Sequence, residues 1–270
     1  MGLLAPYPIN STATISSSLS DDALASLTGF LYITTEKQLN DEYFYVYDVD
    51  QNQKIQIERL VFWNSTIVFL NSHQDTVPRQ SSVLSSWLQP QDAAVAMFEG
   101  IPTDEDELPN SQFFSNPVRL VGNQLFFVSK VEKFSLALPT FYLKTYMSLV
   151  FHIEHGHLDL NGFTTTAYSS TGLYMKSRGE KAQPTTIFCQ SDPGHNGTTG
   201  VNIVGSMPSN NGIVTVEEKS QGQANGISVV PARQTQEWST PTIGNNITIT
   251  SHDSDDAFDF LSFSLHRNNH

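Results

Sequence analysis

With 270 residues, 14 basic against 27 acidic side chains and a net charge of −13, the chain lacks the clustered Lys and Arg that a phosphate-binding surface needs, so direct nucleic-acid binding is not expected. Its one cysteine excludes an internal disulfide framework, and no window approaches the roughly 18 apolar residues of a membrane-spanning helix. Charged residues are 15% of the chain, and Ser, Thr, Asn and Gln take their place, a substitution that favours strands and turns over helices.

Residues 1–22 are polar and Ser/Thr-rich and read as an extended arm. The N-terminus has neither the basic region nor the apolar stretch of a signal peptide, and Pro6 stands where a myristoylation signal needs Ser or Thr. Asp21 and Asp22 can cap a short helix through Leu27, and residues 30–35 (Phe-Leu-Tyr-Ile-Thr-Thr) form a β-rich run. Residues 42–48 and 54–60 flank a polar turn. Lys54 to Glu58 alternates, with Ile55 and Ile57 on one face and Gln56 and Glu58 on the other, which predicts a hairpin. Asn64 to Leu70 is a further strand, and Ser81 to Ala96, interrupted by Pro90, is the best helix candidate.

Residues 104–110 form an acidic loop between Pro102 and Pro109. Residues 118–121 and 124–130 flank Gly122-Asn123 and predict a second hairpin. Pro139 separates residues 134–138 from a long β-type run, 141–153. Beyond Gly162 short strands alternate with Gly, Asn and Pro, as at 213–216, 227–230 and 247–250, and the apolar residues of 258–265 fall mostly at alternate positions.

Strand signals separated by turns at this spacing mark an all-β protein and not a βαβ fold. The architecture expected is a jelly-roll-type β-sandwich, single or two in tandem, with long loops and few helices. The division expected is an arm over 1–22, a sandwich over 23–139 and a second over 140–270, with one continuous domain as the alternative.

The densest cluster of metal-ligating residue types is His152-Ile-Glu154-His155-Gly-His157-Leu-Asp159, with His195 downstream. On a strand His155, His157 and Asp159 share a face, and His152 and Glu154 take the other. Imidazole and carboxylate suit zinc, iron or manganese, so His155, His157 and Asp159 with His195 as a fourth ligand make a candidate divalent-metal site. His155-Gly-His157-Leu-Asp159 resembles the first half of the metallo-β-lactamase and cyclic-nucleotide phosphodiesterase metal motif, with Leu160 where that motif has a second His after the Asp. The same residues are similar to the His-X-His of a cupin, with Pro193-Gly194-His195 in the place of its second motif and no Glu four or five residues after His157. The competing reading is a strand whose histidines face solvent or another subunit, and on that reading no cofactor is expected.

Asp48-Val-Asp50-Gln-Asn52 has the opening of a calcium loop, but Gln53 replaces its glycine and Arg59 its bidentate Glu, so a hairpin turn explains it better. Cys189 ends an apolar run and reads as a buried structural thiol. Four Asn-X-Ser/Thr sequons, at Asn10, Asn64, Asn196 and Asn246, are of a number that an Asn- and Ser-rich composition produces by itself.

These features together point to a non-enzymatic structural protein of an icosahedral virus or phage particle, a capsid or vertex protein that self-assembles through sandwich and arm contacts. Its expected partners are copies of itself and other virion proteins, with glycan contact at an outer surface, and its expected place is the virion after synthesis in the host cytoplasm. A cupin-like metalloenzyme using the histidine cluster, and a carbohydrate-binding or pore-forming β protein, are the alternatives.

Overall fold

The computed structural model describes residues 31–49, 53–57, 64–71, 81–103, 112–119, 123–136, 138–156, 163–165, 170–176, 185–189, 198–206, 213–218, 223–227, 236–240, 246–250 and 259–268, with scattered positions between 9 and 23. Among them strands dominate, and the all-β class is observed; α1 (Glu36–Leu39) is a single turn.

The first sheet runs β1 (Phe44–Asp48), β3 (Asn64–Leu70), β11 (Thr140–Tyr146), β5 (Ala94–Glu99) and β6 (Gln112–Asn116). The second runs β10 (Phe134–Leu136), β4 (Ser81–Leu88), β12 (Leu149–Gly156) and β2 (Gln53–Ile57). A third comprises β13 (Phe163–Thr165), β15 (Thr185–Cys189), β20 (Asn246–Thr250), β17 (Ile213–Glu218) and β18 (Gln223–Ile227). A fourth comprises β19 (Gln236–Thr240), β16 (Thr198–Ser206), β21 (Asp259–Asn268), β14 (Ser170–Lys176) and β9 (Lys130–Val131). The parallel pairs, β1 with β3, β13 with β15 and β9 with β14, each involve an edge strand; the other pairs are antiparallel.

The first two sheets form a sandwich because alternate residues of their strands are apolar and face one another. Ile67 and Phe69 of β3, Phe141 and Leu143 of β11, and Val95 and Met97 of β5 meet Ile55, Leu84, Phe134, Phe151 and Ile153 of the second sheet in one core. Phe69 stacks on Phe141 at 5.0 Å and meets Phe151 edge-on at 6.0 Å. Each such ring removed from water contributes about 1.5–3 kcal/mol, before the smaller gain from ring pairing. Leu173 and Met175 of β14 enter the same core and attach the fourth sheet to this sandwich.

Two bulges aim aromatic rings. Between Met97 and Phe98 the register on β6 jumps from Phe114 to Gln112, so Phe113 is the extra residue and both phenylalanines are buried. Between Val150 and His152 the register on β4 jumps from Leu88 to Ser85, with Ser86 at φ 53°, and this bulge turns Trp87 onto Phe151 at 5.3 Å.

A buried polar network closes one end of the sandwich. The Asn116 Nδ2 donates to the Val128 carbonyl at 2.9 Å and to Gln89 Oε1 at 3.1 Å, and its Oδ1 accepts from the Val128 N–H at 3.0 Å. Gln89 Nε2 donates to the Asn116 and Ala93 carbonyls, and the Trp87 indole donates to Gln89 Oε1 at 3.0 Å. Polar groups withdrawn from water in this way must be paired with one another.

Several local expectations are corrected. Residues 81–96 are not helical: they form β4, a turn in which Ala93 N–H donates to the Pro90 carbonyl, and the start of β5. Ala93, Val95 and Met97 are buried and Ala94 and Ala96 half-buried, a period of two that outweighs the helix propensity of alanine. The 42–60 hairpin does not form, because β1 pairs with β3 in the first sheet and β2 with β12 in the second. The alternation read there does hold, with Ile55 buried between exposed Lys54 and Gln56. Leu31 to Thr35 joins no ladder; exposed and half-buried residues alternate along it, and Thr35 is extended at φ −87°, ψ 159°. The 141–153 run is two strands, divided where Met147 takes φ 67°, so β11 enters one sheet and β12 the other.

The second hairpin is present as β7 (Val118–Arg119) and β8 (Leu125–Phe126), with Asn123 at φ 65° in its loop. Strands on both sides of Pro139 belong to the first two sheets. The 104–110 loop and most of the helix expected over 21–27 lie outside the described residues.

Candidate assembly surface

The outer face of the first sheet carries Val68 and Leu70 of β3, Phe98 of β5 and Tyr142 of β11, all buried, with Phe98 and Tyr142 stacked at 4.9 Å. Tyr32, from the segment before the first helical turn, packs against this cluster with Phe44, Val46 and Ala96. In extended chain successive side chains alternate, so seating Tyr32 inward sends Leu31 and Ile33 outward. They are 66% and 77% exposed. An extended segment usually turns its apolar residues to the core; here the apolar pair faces solvent and the half-buried inward neighbours are Tyr32 and Thr34.

The segment is held by its own end. Thr35 caps α1 in a capping box: its hydroxyl accepts from Gln38 N–H at 3.2 Å, and the Gln38 side chain reaches back to the Thr35 N–H. Gln38 Oε1 also accepts from the Thr34 hydroxyl at 2.7 Å, and its Nε2 donates to the Pro102 carbonyl at 3.3 Å. Leu39 and, in the chain preceding Pro102, Ile101 are 46% and 44% exposed. Leu31, Ile33, Leu39 and Ile101 thus add apolar surface to a strap that is anchored at both Tyr32 and Gln38. Further back, every described position between 9 and 20 is exposed, Ile9 and Leu19 among them.

Of the metal-ligand candidates, His155 lies on β12 opposite Ser82 and is half-buried. His152 is exposed, and Glu154 forms an ion pair with Lys133 at 3.3 Å. The burial along β12 puts His155 in phase with core-facing Phe151 and Ile153, and His152 with Glu154 on the other face, as the strand period predicts. His157, Asp159 and His195 lie outside the described residues, as do Asp50 and Asn52 of the calcium-type sequence. Among the described residues no three metal-ligating side chains converge. Cys189 ends β15.

The strand-like composition of residues 31–35 suggests a paired strand, and nothing in it says that Leu31 and Ile33 face outward. The Thr35-Glu-Lys-Gln38 capping box, a readable helix-start signature, marks where the extended run must stop.

A family model described as "Glycoprotein: Transmembrane glycoprotein" matches residues 1–260. No curated protein matches the chain. Among solved structures, the CUB1-EGF-CUB2 domains of rat MASP-1 align at 10% identity and a TM-score of 0.28, covering 82% of this chain and 99% of that one. A chain of Sulfolobus Turreted Icosahedral Virus aligns at 9% identity and a TM-score of 0.24, covering 78% and 58%. At such scores the folds do not correspond in detail. Among the described residues no helix is long and apolar enough to cross a membrane.

Proposed function

The chain belongs to the transmembrane glycoprotein family, and on that premise we propose that it is a structural protein of the outer layer of a virus particle, non-enzymatic and working by assembly. The observation that carries this reading is the strap: Leu31 and Ile33 are held outward on a segment fixed by Tyr32 and Gln38. Apolar side chains anchored in an exposed position are what a subunit contact needs, since little ordering remains to be done on binding. Copies of the same chain and other virion proteins are the partners, met through the sandwich and through the polar sequence over 1–22.

The jelly-roll form belongs to the same reading, supported by the antiparallel interior of the first two sheets and their shared core. The net charge of −13 suits a layer separated from the genome. The division into two units after the arm is also part of this reading, as are virion localisation and an icosahedral arrangement.

The test is light scattering and electron microscopy of the purified full chain, alone and on membranes. Concentration-dependent, ordered oligomers are expected. A strict monomer at high concentration, which also fails to associate with other particle proteins, overturns the reading.

A further inference from the structure

We propose that Asn64 carries an N-linked glycan, seated on the open end of the outer face of the first sheet; the inference rests on the outer-layer glycoprotein reading. Asn64-Ser65-Thr66 is a complete acceptor sequence. Composition alone can produce such a triplet, so the case rests on where the fold puts it. Asn64 is exposed and is the first residue of β3, while buried Ser65, Ile67 and Phe69 point into the sandwich. Asn64 and Thr66 are therefore on the outer face.

The register then gives the surroundings. Asn64 stands directly opposite Tyr146, and Thr66 opposite Lys144. On the far side of β11, Tyr146 and Lys144 stand opposite Ala94 and Ala96 of β5. From Phe44 and Ala96 onward this face is apolar and packed beneath Tyr32, with Phe44 opposite Thr66 on the β1 side; beside Asn64 it carries, among the described residues, half-buried Ala94 and Tyr146 and exposed Lys144, none of which covers Asn64. Directly opposed residues in an antiparallel pair have Cβ atoms about 4.5–5.5 Å apart, so the Tyr146 ring is within reach of the first sugar and offers it an apolar face with a polar tip. Tyr146 ends β11 immediately before the turn at Met147, so the glycan leaves over the sheet's rim and not across a neighbouring strand.

The transfer itself is ordinary chemistry. The Asn64 carboxamide nitrogen bonds to the anomeric carbon of a lipid-diphosphate-linked oligosaccharide. The bond from that carbon to the diphosphate oxygen breaks, the lipid diphosphate leaves, and the nitrogen gives up one proton. Thr66 N–H donates to the Tyr43 carbonyl and β3 is paired on both sides, so the acceptor is reachable only before β3 is incorporated in the sheet. Modification during translocation followed by folding with the glycan outward satisfies both conditions.

The experiment expresses the full chain behind a cleavable leader in a eukaryotic secretory pathway, which ensures entry. Peptide-N-glycosidase treatment in 18O water then marks each occupied asparagine as labelled aspartate in peptide mass spectra. Label at Asn64 is expected, with a loss of one glycan in Asn64→Gln and in Thr66→Ala and none in Thr66→Ser. An unlabelled Asn64 overturns the proposal. Label at Asn10, Asn196 or Asn246 with Asn64 empty overturns the site alone, whereas translocated protein with no labelled sequon overturns the glycoprotein reading as well.

Discussion

Ser65 and Thr145 stand directly opposite each other across the β3–β11 ladder, both facing the sandwich core and both buried, at 1% and 2% exposure. Neither hydroxyl has a hydrogen-bond partner among the described residues. A hydroxyl taken from water without a partner costs roughly 1–3 kcal/mol. Thr145→Val keeps the shape and removes one of the two, so it is expected to raise stability by about 1 kcal/mol. Urea unfolding checks this. A loss of stability in Thr145→Val and Ser65→Ala, with strong coupling in the double variant, would show instead that the two hydroxyls bond to each other.

Asn116 is expected to respond in the opposite sense. Its side chain satisfies both backbone groups of Val128 and one oxygen of Gln89 in a fully buried place. Asn116→Ala leaves the Val128 N–H and carbonyl without these bonds, although Gln89 Oε1 keeps the Trp87 indole, and should cost about 3 kcal/mol. Asn116→Asp should be at least as harmful, because a carboxylate oxygen replaces the donor aimed at Val128 and Gln89. A denaturation midpoint unchanged in Asn116→Ala would refute the network as a stabilising element.

The strap makes a separable prediction. Leu31→Asp and Ile33→Asp alter exposed side chains, so each should move unfolding by less than about 0.5 kcal/mol. Each should also weaken self-association, read as a lower sedimentation coefficient at equal concentration. Unchanged association in the double variant removes the strap from the interface.

Tyr47 sets an alkaline limit. Burial, and then neighbouring Tyr45, raise its hydroxyl above the ordinary value of 10.0. A raised folded value means that the protonated form is favoured by folding. Its contribution to stability is therefore complete below pH 10 or so and is lost as pH rises through the folded value. Tyr47→Phe should flatten the fall in stability at alkaline pH relative to the parent chain. Parallel curves for the two proteins would show that Tyr47 does not titrate later in the fold than out of it.

By itself the sequence determined the class and many of the strands. Asn64 to Leu70 keeps its period of two because Ile67 and Phe69 must face one side, and Asn123, a residue type that tolerates it, takes the left-handed backbone in the loop between β7 and β8. These are local properties, written in neighbouring residues. The same locality left His155 on a readable face of β12, away from His152 and Glu154. Only tertiary structure decided the pairing. β1 and β2 are neighbours along the chain, yet β1 pairs with β3 and β2 with β12, so they part into different sheets whose inner faces share one core. Alanine-rich 93–97 became a strand because its alternate residues had a core to fill. The strap was decided in the same way: Tyr32 packs against the cluster that holds Phe98 and Tyr142, residues more than sixty positions away, and Leu31 and Ile33 on either side of it face outward. A side chain's partner depends on which distant surface reaches it first with matching shape, and that information is held by the whole chain and not by any window of it.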